Sequence, residues 1–300
     1  MSTSLPGEVK RQIFALGAAI TPEMIQGSWA LLTPYHEKLG YQAPRVHRDR
    51  VYGDSERHRL DVHTPDASGG PAGGGSPVLL FVHGGGFVGG DKHVPGAPMY
   101  DHVGAWAVRH GAVGVTMTYR LAPGHGWPAG AQDVAAAVAW TRENIASYGG
   151  DPGRIVIAGH SAGAVHVASY LAGQGGGSLL GISGAALLSG IYDLDMSYRS
   201  ELEHVYYGDH PAEEVSTLPH LVVSRVPLLF GIAEHDPQPF HAQALGVASA
   251  WYAAHGRMPA MAWAGGHNHT SEIASLGVDE DALGVALARF VAAVTEGADA

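Results

Sequence analysis

Gly159-His160-Ser161-Ala162-Gly163 sets a hydroxyl between two glycines at the spacing of a nucleophile held on a tight bend. A serine hydroxyl is a weak nucleophile until a base takes its proton. The expected base is a histidine, itself oriented by a carboxylate. In chains built this way the acid and then the histidine follow the serine. After an apolar run ending at Ile232 come Glu234, His235 and Asp236, and after one ending at Ala264 come Gly265-Gly266-His267-Asn268-His269. Asp236 is the expected acid, because Pro237 fixes the turn behind it, and Glu234 is the alternative. His269 is the expected base, with His267 as the alternative. His241 and His255 fall at helix ends and read as capping or surface residues.

A tetrahedral intermediate also needs donors aimed at its oxyanion. His83-Gly84-Gly85-Gly86-Phe87 directly follows an apolar run, and its glycines let the backbone approach a substrate closely. The N–H of Ala162, next to the nucleophile, is a further donor. Phe87, His160, Tyr192, Tyr206 and Tyr207 are candidate pocket walls, with Trp29 arriving from the N-terminal segment.

These groups meet only if particular elements carry them. Arg154-Ile155-Val156-Ile157-Ala158 reads as a buried parallel strand, and Ala164, Val167, Ala168 and Leu171 recur at helical spacing behind Ser161. The bend between them would lift the Ser161 hydroxyl out of a sheet, near the positive end of the following helix. From Pro77 onward strands and helices alternate. Strands are expected at 78–82, 112–119, 154–158, 182–191, 227–232 and 260–264, and helices at 99–110, 132–148 and 240–255, with a last one carrying Leu283, Leu287, Phe290 and Val294. That rhythm predicts an α/β fold, a mostly parallel sheet covered on both faces, with its site at the carboxyl ends of the strands.

Upstream, residues 45–52 and 58–63 alternate as half-exposed strands, and residues 67–76 read as a flexible glycine- and serine-rich loop. Residues 1–45 carry two apolar helical stripes, with a start at Thr21-Pro22-Glu23, and are expected to form a helical cap. Residues 193–224, including Asp195-Met196, break the rhythm and are expected to be a second cap piece inserted in a catalytic domain of residues 46–300.

The net charge of -11 argues against nucleic acid as a partner. With no cysteine there are no disulfides or thiolate sites. The nineteen histidines include His267/His269 and His235/His241, which match no ligand spacing, so no metal is expected. No apolar run reaches the ~20 residues of a membrane span. The start lacks a basic segment followed by an apolar core, so cytoplasmic residence is the expectation.

His83-Gly84-Gly85-Gly86-Phe87, Tyr119-Arg120-Leu121-Ala122-Pro123, Trp127-Pro128-Ala129, the Ser161 pentapeptide and Glu234-His235-Asp236-Pro237 together resemble the hormone-sensitive-lipase-like branch of the α/β-hydrolase fold. The likeness covers about residues 45–295. It implies oxyanion donors at Gly85 and Gly86, Asp236 as the acid, an N-terminal helical cap, and no cofactor. It also implies hydrolysis of small-molecule carboxylic esters, of short to medium chain or aryl, through an acyl-enzyme. Two positions depart from that branch. His160 stands where an acidic residue is common, and His267-Asn268-His269-Thr270 replaces the usual His-Gly-Phe. Aryl-formamidase-like enzymes share the glycine motif and the serine bend, which keeps an amide substrate open. A non-catalytic ligand receptor on the same fold should lack part of the triad. Oligomeric state stays open, a homodimer included.

Overall fold

A computed structural model describes residues 4–66, 75–194, 199–279 and 283–296. Most of the glycine- and serine-rich stretch 67–76, and Asp195-Met196, lie outside the described residues. Helices α1 (Gly7–Ala15) and α2 (Pro22–Leu39) come first. Thr21 caps α2 by accepting from the Met24 N–H at 3.2 Å, and Pro22 opens the helix where its missing N–H costs nothing. The chain continues through β1 (Arg45–Val51), β2 (Arg59–Thr64), β3 (Ser76–Val82), α3 (Asp101–Arg109), β4 (Val113–Met117), α4 (Ala129–Asn144), β5 (Gly150–His160) and α5 (Ala162–Leu171). Then follow β6 (Ile182–Leu188), three short helices α6 (Glu201–Tyr207), α7 (Ala212–Val215) and α8 (Leu218–Val222), β7 (Leu228–His235), α9 (Gln238–His255), β8 (Ala260–Asn268), α10 (His269–Ala274) and α11 (Val285–Glu296).

The eight strands form one sheet in the order β1-β2-β4-β3-β5-β6-β7-β8. β1 and β2 are antiparallel additions at one edge, and every other pairing is parallel. The continuous apolar runs follow from burial on both faces. Along β3, Val78, Leu80 and Val82 pack with Val134, Val138 and Val167 of α4 and α5. Leu79 and Phe81 point the other way, onto Trp106 of α3 and Leu287 of α11. The period-two alternation of a strand makes this division. Leu80 is fully buried, so truncation to alanine there should cost about 2–5 kcal/mol.

The register aligns the strand tips. Val82 pairs with Gly159, Gly159 with Leu187, and Leu188 with Gly231. β7 and β8 run further than their apolar runs suggested, to His235 and Asn268, which pair with each other. Polar residues hide those strand ends from a hydrophobicity reading. As a result Asp236 and His269 each stand one residue past a strand, beside the bend that carries Ser161.

Candidate active site

Ser161 has φ 55° and ψ -126°, a strained conformation for a residue with a Cβ. The bend that holds it leaves no room at either glycine. A Cβ on Gly159 would lie 2.5 Å from the Gly163 carbonyl oxygen, and one on Gly163 would lie 2.1 Å from that of Val82. The Ser161 N–H donates to the Leu188 carbonyl at 2.9 Å, which ties the bend to the tip of β6.

The glycine motif lies directly against this bend. An ideal Cβ on Gly84 would come within 3.2 Å of the Ser161 Cβ. Gly85 and Gly86 take φ values of 139° and 58°, and Phe87 takes 70°. A Cβ on Gly85 would lie 2.1 Å from the Gly89 carbonyl oxygen, so the tight turn depends on glycine there. Among the described residues, the N–H groups of Gly85, Gly86 and Ala162 have no acceptor in the chain. His83 is fully buried, and burial pushes its imidazole down to about 4, so it is neutral. It stacks on Tyr119, whose hydroxyl donates to the His83 carbonyl at 2.9 Å. This locks the start of the loop.

His269 opens α10, where Asn268 and Ser271 cap each other's backbone. Its Nδ1 lies 2.6 Å from Asp236 Oδ1. Its Nε2 is buried and has no partner among the described residues. Burial alone would raise the Asp236 carboxyl. The hydrogen bond and charge of His269, with donors from Ser189 and the Ala233 N–H, outweigh burial and hold it below the usual range. His160, the residue before Ser161, reaches across so that its Nε2 lies 2.8 Å from the His269 carbonyl oxygen. The two rings are 4.9 Å apart. One hydrogen bond therefore joins the serine bend to the first residue of α10. Burial, then the neighbouring His269, push His160 down to about 3, so it is a neutral strut. Phe240 packs on His269 from α9, with ring centroids 4.5 Å apart.

The two alternative residues lie elsewhere. Glu234 is exposed and accepts from the Gly266 N–H at 2.7 Å. His267 is fully buried between Ser271 Oγ and Asp279 Oδ2, each at 3.1 Å, and Lys10 of α1 neutralises Asp279 at 2.7 Å. His267 and its neighbours thus tie β8 to the N-terminal helices. Ser28 of α2 adds a bond to Asn268 at 3.0 Å.

Of the aromatic candidates, Phe87, Tyr206 and Tyr207 come together with Ala162 in one apolar cluster. Phe87 and Tyr206 stack at 4.4 Å. α6 also brings Leu202 over the glycine turn, where a Cβ on Gly86 would meet its Cδ1 at 2.6 Å. Tyr192 lies apart from this cluster, packed on Phe230, and Trp29 packs on Tyr100 and His102. Two polar residues of the site were missed by the sequence reading. Ser189, just past β6, touches Asp236, and Glu272, on α10 with His269, touches Ser189. The signals available were a lone serine at a strand tip and an acid three residues after the histidine.

Comparison with known proteins bears on the family and the fold. A family model described as alpha/beta hydrolase fold matches residues 79–256. Esterase LipC of Mycobacterium tuberculosis is 42% identical over 155 residues, which are 50% of this chain and 36% of LipC. Carboxylesterase NlhH of the same species is 49% identical over 89 residues, 29% of this chain and 26% of NlhH. The matched stretches thus span well under half of these curated relatives. Among solved structures, an esterase from Pyrobaculum calidifontis superposes with a TM-score of 0.68 at 22% identity, over 99% of this chain and 100% of that one. At that identity the likeness concerns the fold. No described helix is long and apolar enough to cross a membrane.

Proposed function

The chain belongs to the α/β-hydrolase fold family, and from that premise we propose that it is a serine hydrolase that cleaves carboxylic esters. The observation that carries this reading is the His269–Asp236 pair at 2.6 Å, with the other imidazole nitrogen buried and unpartnered among the described residues, tied through His160 to the Ser161 bend. With Nδ1–H fixed on the carboxylate, Nε2 is the acceptor, the tautomer a general base requires. Ser161 Oγ gives its proton to Nε2 and bonds to the acyl carbon, and the carbonyl electrons move onto oxygen. The N–H groups of Gly85, Gly86 and Ala162 receive that oxyanion, Ala162 with the first turn of α5 behind it. Collapse of the intermediate expels the alcohol, which takes the proton from His269. Water then repeats the sequence on the acyl-Ser161 ester and releases the acid. Every group used is a side chain, a backbone N–H or water.

The substrate class follows from what borders the glycine turn. Phe87, Tyr206, Tyr207 and Leu202 are apolar or aromatic. An uncharged acyl or aryl group of modest size suits such a surface. The named relatives are esterases, and this chain inherits their activity only as a proposal. The test is kcat/KM across p-nitrophenyl acetate, butyrate and octanoate. Activity should be greatest on the acetate or butyrate, and Ser161→Ala should lower kcat by about 10⁶. Retention of most of the activity in that variant would sink the assignment.

A further inference from the structure

A second carboxyl stands behind the site and takes no part in that scheme. Glu272, on α10 three residues beyond His269, is fully buried. Its Oε2 lies 2.6 Å from Ser189 Oγ, and Ser189 Oγ lies 2.6 Å from Asp236 Oδ2. One hydroxyl proton is therefore shared among two carboxyls. Were both ionised, one of the two short O···O contacts would hold no proton, and two buried negative charges would face each other. One carboxyl must be an acid.

The surroundings say which. Asp236 sits among three donors, His269 Nδ1, Ser189 Oγ and the Ala233 N–H. Among the described residues, Glu272 has no donor besides the Ser189 hydroxyl that it shares with Asp236. Its Oε1 is buried without a partner among the described residues, and the nearest imidazole nitrogen, His160 Nε2 at 3.8 Å from Oε2, is engaged with the His269 carbonyl. Burial, then the charge of Asp236, push the Glu272 carboxyl well up.

The backbone is shaped around the same contact. Ser189 has φ 46°, a strained value for serine, and its N–H is pinned to the Gly231 carbonyl at 2.9 Å. A Cβ on Gly231 would come within 3.1 Å of Glu272 Oε1 and 2.6 Å of a Leu188 methyl. The glycine leaves the space that the buried acid occupies.

We propose that Glu272 is a positioning residue for the Asp236–His269 pair, acting through Ser189: its carboxylic acid O–H donates to Ser189 Oγ, and the Ser189 O–H donates to Asp236 Oδ2. The chain of donors fixes the Asp236 carboxylate, leaves Oδ1 for His269, and adds no second charge beside the imidazole. This rests on His269 and Asp236 being the base and its orienter.

The test combines kinetics on p-nitrophenyl acetate with infrared spectra of the resting protein. Glu272→Gln replaces the acid O–H by an amide N–H, so kcat should stay within about threefold of the parent. Glu272→Ala and Ser189→Ala break the chain of donors to a charged group, and kcat should fall about ten- to hundredfold with KM nearly unchanged. The parent should show a carboxylic-acid C=O band at neutral pH that is absent from Glu272→Gln. The proposal is overturned if Gln is as damaging as Ala, if Ser189→Ala keeps full kcat, or if the band is missing. Failure of the underlying triad reading looks different: His269→Ala would then keep its activity, while the infrared band, which needs no turnover, still reports where the proton sits.

Discussion

Lowering the pH should unfold this protein, and buried histidines set how steeply. Burial holds His36, His63 and His83 at about 4, and His102, His160 and His166 at about 3. Each is neutral in the folded chain and free to take a proton in the unfolded chain below about pH 6.5. The unfolded state then binds more protons, so stability is present above that pH and is lost as pH falls. Between about pH 7.5 and 5.5 each histidine removes about 1.4 kcal/mol, or about 8 kcal/mol for the six. Glu272 works in the opposite sense. It is neutral when folded and gives up its proton on unfolding, which offsets part of that loss. The remaining loss is comparable with the ~5–15 kcal/mol that a domain has in total. Urea unfolding followed by tryptophan fluorescence, at fixed ionic strength and about pH 7.5, 6.5 and 5.5, should show that fall. The slope near pH 5.5 should correspond to about four to five protons taken up on unfolding. A stability constant to within about 1 kcal/mol across this window would refute the reasoning.

Two substitutions separate structure from chemistry. Gly163→Ala forces a Cβ to 2.1 Å from the Val82 carbonyl oxygen, backbone against backbone, so a loss of about 3 kcal/mol or more is expected, read as a fall in Tm. An unchanged Tm would mean that the bend is looser than described. His267→Ala removes a buried partner of Ser271 and Asp279, and urea titration should register a loss of about 2–4 kcal/mol. The folded fraction should keep kcat within about threefold, whereas His269→Ala should lower kcat by about 10⁶. The reverse pattern would exchange the two histidines.

Much of this arrangement was legible in the chain because its causes are local. The serine bend announces itself through glycines that backbone contacts require, set between an apolar run and a helical stripe. The parallel strands are visible as apolar runs because both faces are covered. The choice between His267 and His269 was not legible from spacing alone. Both follow the same apolar run, and only the capping turn at Asn268 sends one toward Asp279 and the other toward Asp236. Glu234 directly precedes His235, which pairs with Asn268, yet it faces solvent, which hydrophobicity cannot reveal for a polar strand end. Ser189 and Glu272 are 83 residues apart, and only the fold brings them together.

The central claim is that the hydroxyl at position 161 is activated by His269. The most direct measurement is labelling of the folded chain with a fluorophosphonate, followed by peptide mass mapping. The account predicts one adduct, on Ser161, absent from Ser161→Ala and strongly slowed in His269→Ala. An adduct on another residue, or equal labelling rates in the parent and His269→Ala, would contradict it.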